Sequence, residues 1–121
     1  MPRVSWFDIP ADDPQRAQKF YKEVFDWSFD KWDGPMDYWM AKTGTETPGI
    51  DGGLSKRMPG QTGMTNTITV PSVDEFTKKI IEKGGQMICP KMAIPKIGWF
   101  AQASDTEGNI FGIMEEDLKA E

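Results

Sequence analysis

Two helix-start signals lie 59 residues apart in this 121-residue chain, and they constrain the fold more than any other feature. Asp13 precedes Pro14, which is the pattern of an N-cap followed by proline at the first helical position. Ser72 stands three residues before Glu75, which is the spacing of a capping box. Strand patterns precede and follow both signals, so the same unit is predicted to occur twice.

The strand and helix patterns come in the same order in both halves. In the first half they predict a strand at 3–9, a helix from Asp13, strands at 27–32 and 38–43, and a strand at 52–57. In the second half they predict a strand at 64–70, a helix from Ser72 to a stop at Gly84, and strands at 86–90, 97–104 and 110–115. Apolar residues at helical spacing form one face of the first helix: Ala17, Phe20, Tyr21, Val24 and Phe25.

This order predicts an α+β fold in which one domain, residues 1–121, is built from two βαβββ modules at about 1–58 and 64–117, with a linker at 58–63. The alternative is a ferredoxin-like β-α-β-β-α-β sandwich, which needs only four strands. That fold would leave strand candidates in each half without a place. The duplicated form is therefore preferred.

Composition disfavours several classes of partner. The chain has 14 Lys and Arg against 19 Asp and Glu, a net charge of -5, so its field repels nucleic acid and anionic lipid. A single cysteine, Cys89, cannot form an internal disulfide, and no segment has the pattern of an export signal or a membrane span. We therefore predict a cytoplasmic protein with no nucleic-acid or membrane partner.

The chain contains no histidine. This excludes Ser-His and Cys-His nucleophile pairs, HExxH zinc sites and the commonest transition-metal ligand. Acid–base chemistry must then use Asp, Glu, Lys, Tyr or Cys89. Cys89 has no basic neighbour in the sequence that would activate it, so we interpret it as an inert, packed thiol.

Two stretches of the sequence resemble motifs of a known superfamily. Residues 13–21, DPQRAQKFY, are similar to its strand-to-helix signature D-x-x-R-A-x-x-F-Y, and residues 105–109, DTEGN, are similar to its D-P-x-G-N turn with Thr106 in place of proline. The chain thus resembles the glyoxalase, bleomycin-resistance and dioxygenase superfamily, which has the vicinal oxygen chelate (VOC) fold. The resemblance implies an open curved sheet with both helices on its outer face, a ligand on the concave face, and a homodimer.

In metal-dependent members of that superfamily, four side chains, mostly His and Glu, bind a divalent ion. Alignment through the motifs puts those positions at Trp6, at Gly53 or Leu54, at or within a residue of Thr65, and at Gly112. Indole, leucine and glycine side chains supply no donor for a first-row metal. We therefore predict no metal site and no cofactor.

Strand alternation predicts which side chains face the ligand. Trp6 and Asp8 alternate with apolar Phe7 and Ile9, which we expect to pack on a helix. Asp8 is the candidate catalytic base or the partner of a cationic ligand, or else a carboxylate paired with Lys or Arg. Trp6 would either stack on a ligand or fill the vacant metal position. The full predicted ligand-binding set is Trp6, Asp8, Thr65, Thr67, Thr69, Trp32, Trp39, Gly112 and Met114.

Three functions are compatible with these features. The first is metal-independent binding of a small organic molecule in the cup of the sheet. The second is a lyase or isomerase of the glyoxalase type that acts on a small carbonyl compound, with Asp8 as the base. The third is a pseudoenzyme or interaction module whose pocket is filled by Trp6.

Overall fold

The computed structural model describes residues 2–61 and 63–121. It divides into two compact units. The first unit is Trp6–Met64, and the second is Thr65–Glu121 together with the start of the chain up to Ser5. The linker predicted at 58–63 includes Thr62, which lies outside the described residues.

The secondary structure follows the predicted order. Its elements are β1 (Arg3–Ala11), α1 (Pro14–Phe25), β2 (Ser28–Lys31), β3 (Tyr38–Lys42), β4 (Gly52–Lys56), β5 (Thr65–Thr69), α2 (Val73–Glu82), β6 (Gln86–Ile94), β7 (Gly98–Ser104) and β8 (Ile110–Glu116). The α+β class and the two βαβββ modules are confirmed. The ferredoxin-like alternative is wrong, because three strands follow α2 where that order has one, and β2, β3, β4 and β5 separate the helices where that order has two strands.

The strands of the two units pair in the same way. In the first unit they lie in the order β2-β3-β4-β1, and in the second unit in the order β5-β8-β7-β6. β1 runs parallel to β4 with Asp8 opposite Gly53, and β5 runs parallel to β8 with Thr67 opposite Gly112. Both members of the second pair lie 59 residues after their counterparts in the first. The repeat therefore extends to the register of individual residues.

The capping signals form the predicted contacts. Asp13 Oδ1 accepts a hydrogen bond from the Arg16 amide at 3.2 Å, and Ser72 Oγ accepts one from the Glu75 amide at 3.1 Å. Gly84 lies just after α2 with φ +97°, a conformation that glycine adopts without strain. Local sequence thus determines where both helices begin.

Each helix packs on one face of its own sheet. The core of the first unit contains Ile9, Ala11 and Leu54, and the partly buried residues packed on them are Phe7, Ala17, Tyr21, Trp27, Phe29 and Trp39. The core of the second unit contains Val70, Val73, Ala101 and Ile113, packed against Ile68, Phe76, Ile80, Met87, Trp99 and Phe111. We call the opposite face of each sheet its helix-distal face.

The end of β6 differs most from the prediction. β6 was expected to end at Pro90 but continues to Ile94, with irregular pairing between Met87 and Met92. β6 is the outermost strand of its sheet, where Pro90, which has no amide proton, is tolerated because one side of the strand has no neighbour.

Neither helix in the described part of the chain is long and apolar enough to cross a membrane.

Candidate functional site

A chain of hydrogen bonds joins three side chains on the helix-distal face of the first unit. Tyr38 Oη accepts a hydrogen bond from Trp6 Nε1 at 2.8 Å and donates one to Asp8 Oδ1 at 2.5 Å. Trp6 and Asp8 share this face because they alternate along β1 with Phe7 and Ile9, which pack on the helix side. We call Trp6, Tyr38 and Asp8 the polar cluster.

Gly53 makes room for the polar cluster. It lies directly opposite Asp8 in the β1–β4 pair. A methyl group on Gly53 would overlap the Oη and Cζ atoms of Tyr38, and it would lie 2.8 Å from Asp8 Oδ1. A side chain at this position would therefore displace the tyrosine that connects the cluster.

Burial changes the proton affinity of both oxygen acids in the cluster. It raises the pKa of Asp8, and the neighbouring donors Tyr38 and Trp6 offset part of this rise. Burial, followed by the negative charge of Asp8, raises the pKa of Tyr38 far above its ordinary value, so the hydroxyl stays protonated. Tyr38 is therefore a fixed donor to the carboxylate.

Asp8 has one oxygen in use and one available. Tyr38 occupies Oδ1, whereas Oδ2 forms no hydrogen bond to any described residue. No lysine or arginine in residues 2–61 and 63–121 forms an ion pair with Asp8. The described residues therefore do not provide the Lys or Arg partner that was the alternative for Asp8, and the carboxylate can accept a hydrogen bond from a ligand.

The second unit carries different chemistry at the equivalent place. Thr67, only 4% exposed, takes the position of Asp8, and Gly112 takes that of Gly53. A methyl group on Gly112 would lie 2.7 Å from Phe100 Cε1 and 2.9 Å from Thr67 Oγ1. Phe100 pairs with Met114 as Tyr38 pairs with Ser55, so a phenyl ring stands where the first unit has a phenol.

The other predicted site residues of the second unit are on β5 and β8. Thr65 is half-buried at the start of β5. Thr69 Oγ1 lies 2.6 Å from Ser5 Oγ, at hydrogen-bond distance, and Thr69 stands opposite the half-buried Met114. Strands β5 and β8 thus bring the following residues together within the second unit: Thr67, Thr69, Gly112 and Met114.

The two predicted hairpin tryptophans occupy different places. Trp32 contacts Tyr38 edge to face, with ring centroids 6.0 Å apart, so it lies beside the polar cluster. Trp39 instead packs on the helix-side core with Ile9 and Leu54. Tyr38, which the sequence analysis did not include in the site, occupies the helix-distal position. Strand alternation allows only one of these two neighbours on that face, but both side chains suit either face, so the local sequence carries no signal that distinguishes them.

The residues at the superfamily's metal positions do not fit a metal ion. Trp6 presents an indole N–H donor that is bonded to Tyr38, and Leu54 is a fully buried core residue. Gly53 and Gly112 have no side-chain donor, and Thr65 offers only a hydroxyl. Within residues 2–61 and 63–121, no group of three or more His, Cys, Asp and Glu side chains could hold a metal ion.

The second unit also has a shallow cavity of about 260 Å³, lined by Thr69, Val70, Pro71, Glu115 and Glu116. Glu115 Oε1 accepts a hydrogen bond from the Val73 amide at 2.9 Å. This carboxylate therefore satisfies an amide at the start of α2, where a helix has no acceptor of its own. Glu115 is a structural residue in this arrangement.

Comparison with known proteins identifies relatives by sequence. No family model matches the chain. The chain is 29% identical over 118 residues, 92% of its length, to CFP32 of Mycobacterium tuberculosis and Mycobacterium bovis, which is named as a glyoxylase. It spans 44% of the length of those two proteins. It is also 29% identical to a glyoxylase-like domain-containing protein of Didymella fabae, covering 92% of this chain and 91% of that one.

Solved structures share the fold at low sequence identity. A glyoxalase/bleomycin resistance protein/dioxygenase superfamily member from Vibrio splendidus 12B01 superposes with a TM-score of 0.67 at 15% identity, covering 97% of this chain and all of that chain. Methylmalonyl-CoA epimerase from Mycobacterium tuberculosis gives a TM-score of 0.72 at 9% identity, covering 94% and 87%. The chain is therefore similar in sequence to glyoxylase-like proteins, and it has the fold of a glyoxalase/bleomycin resistance protein/dioxygenase superfamily member.

Proposed function

We propose that this protein binds a small organic molecule at the polar cluster, without a bound metal. The observation that supports this most strongly is the arrangement of Asp8, whose Oδ1 is held by Tyr38 while Oδ2 is available. A half-buried carboxylate with one oxygen fixed is oriented before a ligand arrives, so less conformational freedom is lost on binding. The proposal places this protein in the cytoplasm, as its sequence predicts.

The chemistry of the cluster selects the class of ligand. When the carboxylate is ionised, Asp8 Oδ2 is a hydrogen-bond acceptor and not a donor. The ligand must therefore supply an O–H or N–H donor. A cationic amine suits the site best, because its charge compensates a carboxylate for which burial disfavours ionisation. Trp32, half-buried beside Tyr38, offers an aromatic face for a planar group.

Three small probes that share a phenyl ring test this proposal. Benzylamine offers a cationic donor, benzyl alcohol a neutral donor, and benzoate only acceptors. We expect thermal-shift titrations to order the affinities as benzylamine, benzyl alcohol, benzoate, with dissociation constants in the millimolar range for benzylamine, as fragments of this size allow. Asp8→Asn should weaken benzylamine binding by about tenfold or more, because a charge-assisted hydrogen bond is lost.

Asp37→Asn is the matched control. Asp37 is an exposed carboxylate of the same hairpin, paired with Lys31 at 3.2 Å, so its loss should leave benzylamine affinity unchanged. Equal binding of benzoate and benzylamine would contradict the proposed ligand class. Failure of all three probes to stabilise the protein would instead favour the pseudoenzyme or interaction module, with Trp6 as a plug.

A second function, a lyase or isomerase acting on a small carbonyl compound, is favoured by the raised pKa of Asp8. A raised pKa makes a carboxylate a stronger base at neutral pH. Oδ2 would take a proton from the carbon next to the carbonyl, and the C–H electron pair would move into an enolate. We expect this activity to appear as exchange of the α-protons of hydroxyacetone in D2O, followed by proton NMR. Asp8→Asn should abolish the exchange, and exchange that persists in this variant would exclude Asp8 as the base.

A further inference from the structure

The loop that joins β2 to β3 folds back onto the indole ring of Trp32. A methyl group on Gly34 would overlap the Trp32 atoms Cη2, Cζ3 and Cζ2 almost equally. These three atoms are adjacent on the six-membered ring, and a point equally distant from them lies on the axis through the ring centre. Gly34 therefore lies against one face of the indole, in a contact too close for any residue with a side chain.

Trp32 also contacts the polar cluster. Its backbone amide donates a hydrogen bond to the Tyr38 carbonyl at 2.7 Å. Lys31 stands opposite Trp39 in the β2–β3 pair, so the next pair along the hairpin is Trp32 with Tyr38, on the helix-distal face. Their rings meet edge to face, with an interplanar angle of 78°. The indole thus connects Gly34 in the loop with Tyr38 in the cluster.

Few other contacts hold the Trp32 ring. β2 is the outermost strand of the first unit's sheet, and Trp32 belongs to neither hydrophobic core. Among the described residues, Tyr38 is the only aromatic residue whose ring contacts Trp32. The orientation of the indole therefore depends on Gly34 and Tyr38. Because Gly34 covers one face, a planar ligand group can stack only on the opposite face.

We propose that Gly34 is a positioning residue, and that it holds Trp32 as the wall that determines the specificity of the site. This inference rests on the binding function proposed above and narrows its ligand class to amines that carry a planar aromatic ring. The ammonium group binds Asp8, and the ring stacks on the face of Trp32 opposite Gly34. An indole that is already oriented loses little conformational freedom when such a ring binds.

Two amines measure the contribution of the ligand ring. Benzylamine and ethylamine share a primary ammonium group, and only benzylamine has a ring. Titrations followed by the Trp6 indole resonance in ¹H–¹⁵N NMR give both dissociation constants. We expect the wild type to bind benzylamine about tenfold more tightly than ethylamine. Gly34→Ala should reduce this preference to about twofold and leave ethylamine binding unchanged, because the new methyl group turns the indole away from its position.

Gly49→Ala is the matched control. Gly49 lies in the loop between β3 and β4, where a methyl group would meet no atom within 4 Å, so both dissociation constants should stay at their wild-type values. Gly34→Ala should fold like the wild type, because the atoms that it displaces are the far end of one side chain at the edge of the sheet.

A double variant tests whether Gly34 acts through Trp32. Trp32→Ala should reduce the preference for benzylamine, and adding Gly34→Ala should reduce it no further, because the ring that Gly34 positions is already absent. An unchanged preference in Gly34→Ala, or a further loss in the double variant, would overturn the positioning role and leave the binding function intact. Equal affinity of the wild type for the two amines would overturn the aromatic ligand class. If neither amine bound the wild type, the proposed function itself would fail, and the role of Gly34 with it.

Discussion

Asp8 and Thr67 occupy the same position in two copies of one structural unit, yet they stand in different surroundings. Asp8 faces Gly53 and is bound by Tyr38, whereas Thr67 faces Gly112 and lies next to the phenyl ring of Phe100. A methyl group on Gly112 would contact both Thr67 and Phe100 closely, so this part of the second unit is tightly packed. The two units therefore share their strand order and pairing, but they differ in the side chains on the helix-distal face.

The difference between Asp8 and Thr67 shows which residues the strand pairing requires and which it does not. The second unit forms the same strands with a hydroxyl and a phenyl ring, so the frame does not require a buried carboxylate. Burial of Asp8 costs free energy, as its raised pKa indicates. A polar cluster that the frame does not need, and that burial penalises, is more readily explained by ligand binding than by stability.

The largest expected effects lie in the helix-side cores, where the two units are alike. Leu54 and Ile113 are 0% and 2% exposed and occupy equivalent positions. We expect Leu54→Ala and Ile113→Ala each to lower the free energy of unfolding by about 2–5 kcal/mol, because both leave a cavity in a packed core. Urea denaturation measures both variants. A loss below about 1 kcal/mol in only one of them would show that the cores are not equivalent.

The next comparison adds one methyl group to each glycine. Gly53→Ala should lower the free energy of unfolding by about 1–3 kcal/mol and displace Tyr38, because the new methyl group overlaps the tyrosine. Gly112→Ala should cost less, because its nearest neighbour, Phe100 Cε1, would lie 2.7 Å away. Denaturation curves show which of the two variants loses more unfolding free energy. A larger loss for Gly112→Ala than for Gly53→Ala would contradict this account of the polar cluster.

Tyr38→Phe makes the first unit resemble the second. We expect a loss of about 1–2 kcal/mol in unfolding free energy, because the Trp6 indole N–H and the Asp8 carboxylate both lose their partner. The reverse change, Phe100→Tyr, adds a hydroxyl beside Thr67 without adding a carboxylate, so no comparable gain should follow. If Tyr38→Phe is as stable as the wild type, the hydrogen-bond chain does not hold the cluster together.

The pH dependence of stability should have opposite signs at two aspartates. Burial raises the folded-state pKa of Asp8 above its ordinary value, so the folded protein keeps this proton at pH values where the unfolded chain has lost it. The wild type therefore loses stability as the pH rises from the ordinary carboxyl pKa to the raised one. Asp8→Asn should therefore gain stability relative to the wild type over this pH interval, and the difference should be constant above the raised pKa.

Asp105 is the control of opposite sign. Hydrogen bonds from Asn109 and the Glu107 amide lower its pKa, so its stabilising effect is present at neutral pH and is lost as the pH falls through the lowered pKa. Asp105→Asn should therefore be less stable than the wild type at neutral pH, with the difference shrinking in acid. Thermal unfolding at several pH values measures both trends. If the stability of both variants relative to the wild type changed in the same direction with pH, the pKa shifts of Asp8 and Asp105 would not both be correct.

Local sequence determined the features that depend on neighbouring residues. The capping signals at Asp13 and Ser72 and the alternation around Asp8 predicted both helices and the face of β1 correctly. Local sequence could not predict which side chains of β3 face away from the helix. Tyr38, Trp39 and Met40 are all large and apolar enough for either face. Pairing with β4, which puts Trp39 opposite the core residue Leu54, decides that Tyr38 joins the cluster.

The same limit explains two other details. Gly53 and Leu54 were left as alternatives at one predicted position, and the register with β1 places Gly53 opposite Asp8 and Leu54 in the core. The extension of β6 beyond Pro90 depends on pairing with β7, which no local pattern in residues 86–94 reveals. In this chain, pairing with neighbouring strands therefore decides which face each side chain of a strand occupies and how far the strand extends.

The indole N–H resonances of Trp6 and Trp99 give the most direct test of the proposed binding site. Each is a hydrogen-bond donor, Trp6 to Tyr38 in the first unit and Trp99 to Asp117 Oδ2 at 3.1 Å in the second. We predict that titration with benzylamine, followed by ¹H–¹⁵N NMR, shifts the Trp6 resonance progressively and leaves Trp99 unchanged, because the ligand binds at Asp8. A Trp6 resonance that stays fixed while benzylamine binds elsewhere would contradict the account.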